Sequence, residues 1–177
     1  MNILNKIPRW EKIAPVYAVI VMMVYTWSLL QYFWRLQSWL NFSTLGRVSV
    51  IYAYTAVVNF IESALILLAL VVLSVILPSK WFYDQFVARG SSLVLFGLSA
   101  LMIFAQNIFE DVTTPSVLLP KLLAAAVIII ALVILVDRIS LLKKIMDELA
   151  NRMTTFLYIW MPITALSLIT VLIRNIF

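Results

Sequence analysis

Five long apolar stretches, separated by short polar segments, dominate the hydrophobic pattern of the chain. A helix needs about 20 mostly apolar residues to cross the roughly 30 Å hydrocarbon layer of a bilayer. Five segments reach that length, at residues 13–34, 50–77, 86–109, 117–136 and 154–173. The pattern therefore predicts an all-α integral membrane protein in which five transmembrane helices form one bundle, a single polytopic domain over residues 1–177.

Residues 137–152, with the sequence DRISLLKKIMDELANR, show a different pattern, in which charges alternate with apolar positions. We expect an amphipathic cytoplasmic helix here that continues from the fourth span for several turns. Its apolar side chains recur at the four-three spacing of a coiled-coil seam. The seam residues predicted to bind a partner are Ile139, Leu142, Met146 and Leu149. The alternative is an interfacial helix that lays them on lipid, which the shortness of the seam favours.

The composition supports lipid as the surrounding solvent. Hydrophobic residues make up 64% of the 177 residues, charged residues make up 12%, and the mean hydropathy is +1.07. A soluble domain is about half apolar and about a quarter charged. The chain has no cysteine and no histidine, which excludes disulfides, thiol catalysis, Ser-His triads and Cys or His metal ligands. We therefore expect no cofactor, no metal and no enzymatic activity.

The distribution of lysine and arginine predicts the orientation in the membrane. Cytoplasmic loops carry an excess of basic residues. With five spans, the amino terminus and the second and fourth loops share one side, and they hold nine of the 13 basic residues. We therefore predict a cytoplasmic amino terminus and an external carboxyl terminus in a multi-pass plasma-membrane protein of the bacterial inner-membrane type. The net charge of +5 does not indicate nucleic acid, because the basic residues are scattered between apolar spans.

Polar side chains within the predicted spans are the candidate functional residues, because each costs free energy in lipid unless it is satisfied. On the second span, Tyr52 begins a three-four-three spacing that places its polar residues on one helix face. The candidates from the first three spans are Arg35, Thr55, Asn59, Glu62, Gln106, Asn107, Glu110 and Asp111. We expect a polar chamber open toward the outer side, with Glu62 at its floor, either protonated or paired with Arg35.

These residues favour a binding function over an enzymatic one. Glu110 and Asp111 are adjacent, so on a helix they point about 100° apart and make a poor acid–base pair. We expect an assembly subunit of a larger membrane complex, whose partners are membrane lipids and other membrane subunits or a second copy. Two alternatives stay open. One is a channel or carrier for an ion, a proton or a small solute that passes Glu62, and the other is an accessory protein that binds or modifies lipid headgroups.

Overall fold

A computed structural model of the chain describes residues 8–78, 81–108 and 115–176, with side chains for 8–78, 81–106 and 118–176. The described part contains five α-helices and no strand. They are α1 Trp10–Leu40, α2 Leu45–Ile76, α3 Phe86–Ile108, α4 Pro115–Arg138 and α5 Ser140–Ile176. All five are long and apolar enough to cross a membrane, which confirms the predicted helical class and the predicted number of such helices.

The helix α1 forms the centre of the bundle and packs against α2, α3 and α5. About half of its most apolar stretch is buried, against 6% for α4. The helices α1 and α3 are neighbours at Gly90, where an added Cβ would be in van der Waals contact with the Val16 methyl groups at 3.4 Å. The helix α4 rests on α3 and α5 at the periphery, in keeping with a sequence that has no polar face.

Successive contacts define the two ends of the bundle. Lys12 of α1 lies over the ring of Tyr83, just before α3 begins, so α1 and α3 run in the same direction. We call this end, where α1 begins, the Trp10 end. The opposite end, where α2 begins, is the Leu45 end. The helix α1 ends at Leu40 and α2 starts at Leu45, and this short connection makes the two helices antiparallel neighbours.

The junction between α4 and α5 differs from the sequence prediction. The helix α4 ends at Arg138, Ile139 is not helical, and α5 then runs for 37 residues from Ser140. Residues 140–152 therefore extend the fifth span rather than the fourth. The physical reason is that the chain reverses its direction here, which one continuous helix cannot do. Asp137 at the end of α4 pairs with Arg89 near the start of α3, and α5 then returns through the bundle.

Candidate functional site

The phenol of Tyr25 joins three helices at the centre of the bundle. Its hydroxyl donates to the carbonyl oxygen of Ala56 on α2 at 3.2 Å and lies 2.7 Å from Thr164 Oγ1 on α5. Its ring packs against Trp160, with the two ring centroids 5.0 Å apart. These contacts fill the space between α1, α2 and α5 at mid-height, so the polar groups there bind one another rather than line an open path.

The inward face of α2 is built from small side chains, several of them polar. Its members at the bundle centre and toward the Trp10 end are Ala56, Asn59, Ser63, Leu70 and Ser74. The hydroxyls bond their own helix, because Ser63 donates to the carbonyl of Asn59 at 2.6 Å and Ser74 donates to that of Val71 at 2.7 Å. Hydroxyls satisfied in this way let neighbouring backbones approach closely. This face therefore serves helix packing.

The carboxyl group of Glu62 lies on the outer surface of the bundle. Glu62 is the eighteenth of the 32 residues of α2, close to the middle of the helix, and its side chain is exposed. Within the described part of the chain, no residue forms a hydrogen bond or an ion pair with this carboxyl group. Glu62 is thus an acid on the surface of a helix that is apolar enough to span a membrane.

Among the described side chains, Glu62 is therefore not enclosed in a polar chamber. Asn59 is buried while Glu62 is exposed, although both belong to the predicted polar stripe. A three-residue step turns a helix by 300°, which leaves Glu62 about 60° away from Asn59 around the axis. The bundle buries the next residue, Ser63, which is completely enclosed and much smaller than a glutamate. At this level of α2 the smaller of the two neighbouring side chains is therefore the one that packs inside the bundle.

The other predicted polar residues with described side chains lie apart from Glu62 along the bundle or bond their own helix. Arg35 is exposed near the Leu45 end, and Gln106 is exposed near the end of α3. Thr55 is half-buried and its hydroxyl donates to the carbonyl of Ile51 on its own helix at 2.9 Å. The predicted residues whose side chains lie outside the described part are Asn107, Glu110 and Asp111.

The predicted partner-binding seam is shared between the chain's own bundle and the surface. Ile139 is exposed, whereas Leu142, Met146 and Leu149 are half-buried. Ala150 just beyond them is fully buried in the core. Part of the seam thus packs on its own chain, which reduces the apolar surface that it offers to a partner.

An ion pair at the Trp10 end was not anticipated from the sequence. The guanidinium of Arg89 binds the carboxylate of Asp137, and their side chains are 15% and 25% exposed. Arg89 also donates to the carbonyl oxygen of Trp81. The sequence held one indication of this pair. Arg89 lies near the start of the third predicted span and Asp137 directly follows the fourth, so both are expected on the same side of the membrane. The pair fixes α4 against α3.

Among the described residues, no group of three or more acidic side chains is placed to hold a metal ion. Comparisons with protein-family models, with curated proteins and with solved structures find no match to this chain. The exposed carboxyl group of Glu62 is the feature that the fold itself leaves unexplained, and it is our candidate site.

Proposed function

We propose that this protein is a non-enzymatic subunit of a larger membrane complex, and that the face of α2 around Glu62 binds a helix of a partner membrane protein. The observation that supports this is the exposed, unpartnered carboxyl group at the middle of α2. An acidic residue at the centre of a membrane-spanning helix costs about 2.5–3.5 kcal/mol on insertion scales. A partner helix that presents a lysine, an arginine or another hydrogen-bond donor would offset this cost.

The surroundings of Glu62 suit a helix–helix contact. Val58, Ile61 and Leu65 are exposed on α2 around the carboxyl group. Association of helices in lipid is driven by van der Waals packing and by interhelical hydrogen bonds, and an apolar surface with one polar group offers both. A partner helix would pack on the apolar side chains and bond the carboxyl group. The contact would then be specific, because a purely apolar helix would leave the acid unsatisfied.

The proposal includes membrane insertion, with the Trp10 end in the cytoplasm. It is supported by five sufficiently apolar helices and by the nine-to-four distribution of basic residues. Reporter fusions at the two termini should report a cytoplasmic amino terminus and an external carboxyl terminus. Fusions that place both termini on one side of the membrane would contradict a five-span topology.

The test of partner binding compares Glu62→Leu with Ala64→Leu. Both residues are exposed and flank the buried Ser63, so the two variants add the same side chain on either side of the packed face. The tagged protein is purified from its native membrane in mild detergent and analysed by native mass spectrometry. We expect the wild type and Ala64→Leu to carry a second protein at fixed stoichiometry. We expect Glu62→Leu to lose at least about 90% of it, a tenfold change equivalent to about 1.4 kcal/mol.

The outcomes distinguish the functions. A monomeric wild type, or equal retention of the partner by both variants, would rule out this docking face. A complex made only of copies of this chain, dissociated by Glu62→Leu, would instead favour a channel whose subunits place Glu62 on a shared path. A single bundle gives that alternative little support, because Tyr25 and Thr164 fill its centre.

A further inference from the structure

A surface groove at the Leu45 end lies between the beginning of α2 and the end of α5. Its volume is about 710 Å³. Arg47 in the first turn of α2 and Arg174 in the last turn of α5 both line it. The apolar side chains of Val50, Ile51 and Val58 continue the same groove along α2. The groove therefore has two arginines at one end and an apolar wall, formed by Val50, Ile51 and Val58, along the rest.

Neither guanidinium group has an acidic counterpart among the described residues. Arg47 and Arg174 are exposed, and no carboxylate in the described part of the chain forms an ion pair with either of them. No acidic side chain is among the residues that line the groove. Two like charges in one groove repel each other unless an anion lies between them. The first N–H groups of α2 add a positive helix end, because Thr44 makes no side-chain capping bond there.

The end of α5 is held beside α2 by a specific contact. The hydroxyl of Tyr54 donates to Asn175 Oδ1 at 3.3 Å, and the amide of Asn175 donates to the carbonyl of Val171 on α5 at 2.9 Å. Asn175 directly follows Arg174, so this contact keeps the end of α5 that carries Arg174 at the groove that Arg47 also lines. The pairing of the two arginines is thus a property of the fold.

We propose that this groove binds an anionic phospholipid, with the phosphate between Arg47 and Arg174 and one acyl chain along the apolar wall. Guanidinium groups match the geometry of phosphate oxygens and form charge-assisted hydrogen bonds with them. Arg47 and Val58 are about 16 Å apart along α2 at 1.5 Å per residue. This distance accommodates a headgroup and much of an acyl chain in one leaflet. This inference requires that the protein is inserted in a membrane, but it does not require that a partner binds at Glu62. The lipid-binding proposal and the partner-binding proposal can therefore fail independently.

Native mass spectrometry of the purified full-length chain tests the site. The protein is titrated with phosphatidylglycerol, which is anionic, and with phosphatidylcholine, which is zwitterionic. The variants are Arg47→Gln, Arg174→Gln and the double variant. Arg35→Gln is the matched control, because Arg35 is an exposed arginine near the same end but outside the groove. Thermal unfolding in detergent confirms that each variant is folded, and Arg47→Lys serves as a conservative replacement if Arg47→Gln is unstable.

We expect the wild type to bind phosphatidylglycerol more tightly than phosphatidylcholine. Each groove variant should weaken phosphatidylglycerol binding about fivefold and the double variant about twentyfold, since one basic side chain near an anionic lipid has an effect of that size. Arg35→Gln should bind like the wild type. Equal binding of the two lipids, or equal losses in the control and the groove variants, would overturn the proposal. Displacement of the lipid by millimolar inorganic phosphate would also overturn it, because the site would then be one for a free anion.

Discussion

The inward and outward faces of α2 differ in the size of their side chains more than in their polarity. The inward face contains Ala56, Asn59 and Ser63 besides the larger Leu70, whereas the outward face combines Glu62 and Ala64 with several large aliphatic residues such as Leu65. A soluble protein would show the opposite arrangement, with its larger apolar residues inside. In lipid there is no hydrophobic driving force between helices, so close approach of backbones decides which face is buried. Small residues permit that approach, whether or not they are polar.

The largest effect should come from adding volume to the inward face. We expect Ala56→Leu to lower the free energy of unfolding by about 1–3 kcal/mol, because Ala56 is buried where α1 and α2 meet and a larger side chain overpacks that contact. The matched control is Ala64→Leu on the exposed flank of α2, which should change stability by less than about 0.5 kcal/mol.

Both variants are measured by denaturant unfolding in the same detergent. Equal losses for Ala56→Leu and Ala64→Leu would show that the two faces of α2 are not packed differently. A loss confined to Ala64→Leu would reverse the assignment of the buried face.

A smaller effect should follow from removing the hydroxyl that binds the inward face. We expect Tyr25→Phe to cost about 1 kcal/mol, because the bonds to the Ala56 carbonyl and to Thr164 Oγ1 are lost while the ring contact with Trp160 stays. Tyr158→Phe is the control, since Tyr158 is 82% exposed on the same bundle. Unfolding measurements that give the same value for both variants would show that the central bonds contribute nothing to stability.

The smallest effect on the isolated chain should come from the outward face. We expect Glu62→Gln to leave the free energy of unfolding within about 0.5 kcal/mol of the wild type, since the carboxyl group forms no hydrogen bond or ion pair with a described residue of its own chain. Thermal unfolding of the detergent-solubilised monomer measures this. A loss of more than about 1 kcal/mol would mean that Glu62 stabilises its own bundle, and the docking proposal would lose its premise.

The helices were more predictable than their orientations about their own axes. Apolar length alone locates all five, and the second predicted span, 50–77, overlaps nearly all of Leu45–Ile76. It was harder to predict which face of each helix is buried, because the prediction assumed that polar residues face the interior of the bundle. In the structure Asn59 is buried and Glu62 is exposed, so polarity alone does not distinguish the two faces of α2. A search for small residues at three- and four-residue steps would have selected Ala56 and Ser63.

The reversal at Ile139 was not predictable from local sequence. Residues 137–152 contain no glycine or proline, so nothing local indicates where a helix ends. The break depends on contacts between distant parts of the chain, including the pair of Arg89 and Asp137, which are 48 residues apart. The candidate site was only partly predictable for a similar reason. Glu62 was singled out by its chemistry, but its exposure depends on how the bundle packs.

Ile139 is the single non-helical residue between α4 and α5, so the end of α4 and the start of α5 cannot move apart independently. A displacement of α4, whose most apolar stretch is the least buried of the five, would therefore move the start of α5 as well. Further along α5, Thr164 touches Tyr25 at the centre of the bundle, and Pro162 removes one backbone hydrogen bond of α5 just before it. The peripheral helix α4 and the central contact between two hydroxyl groups are thus connected through α5.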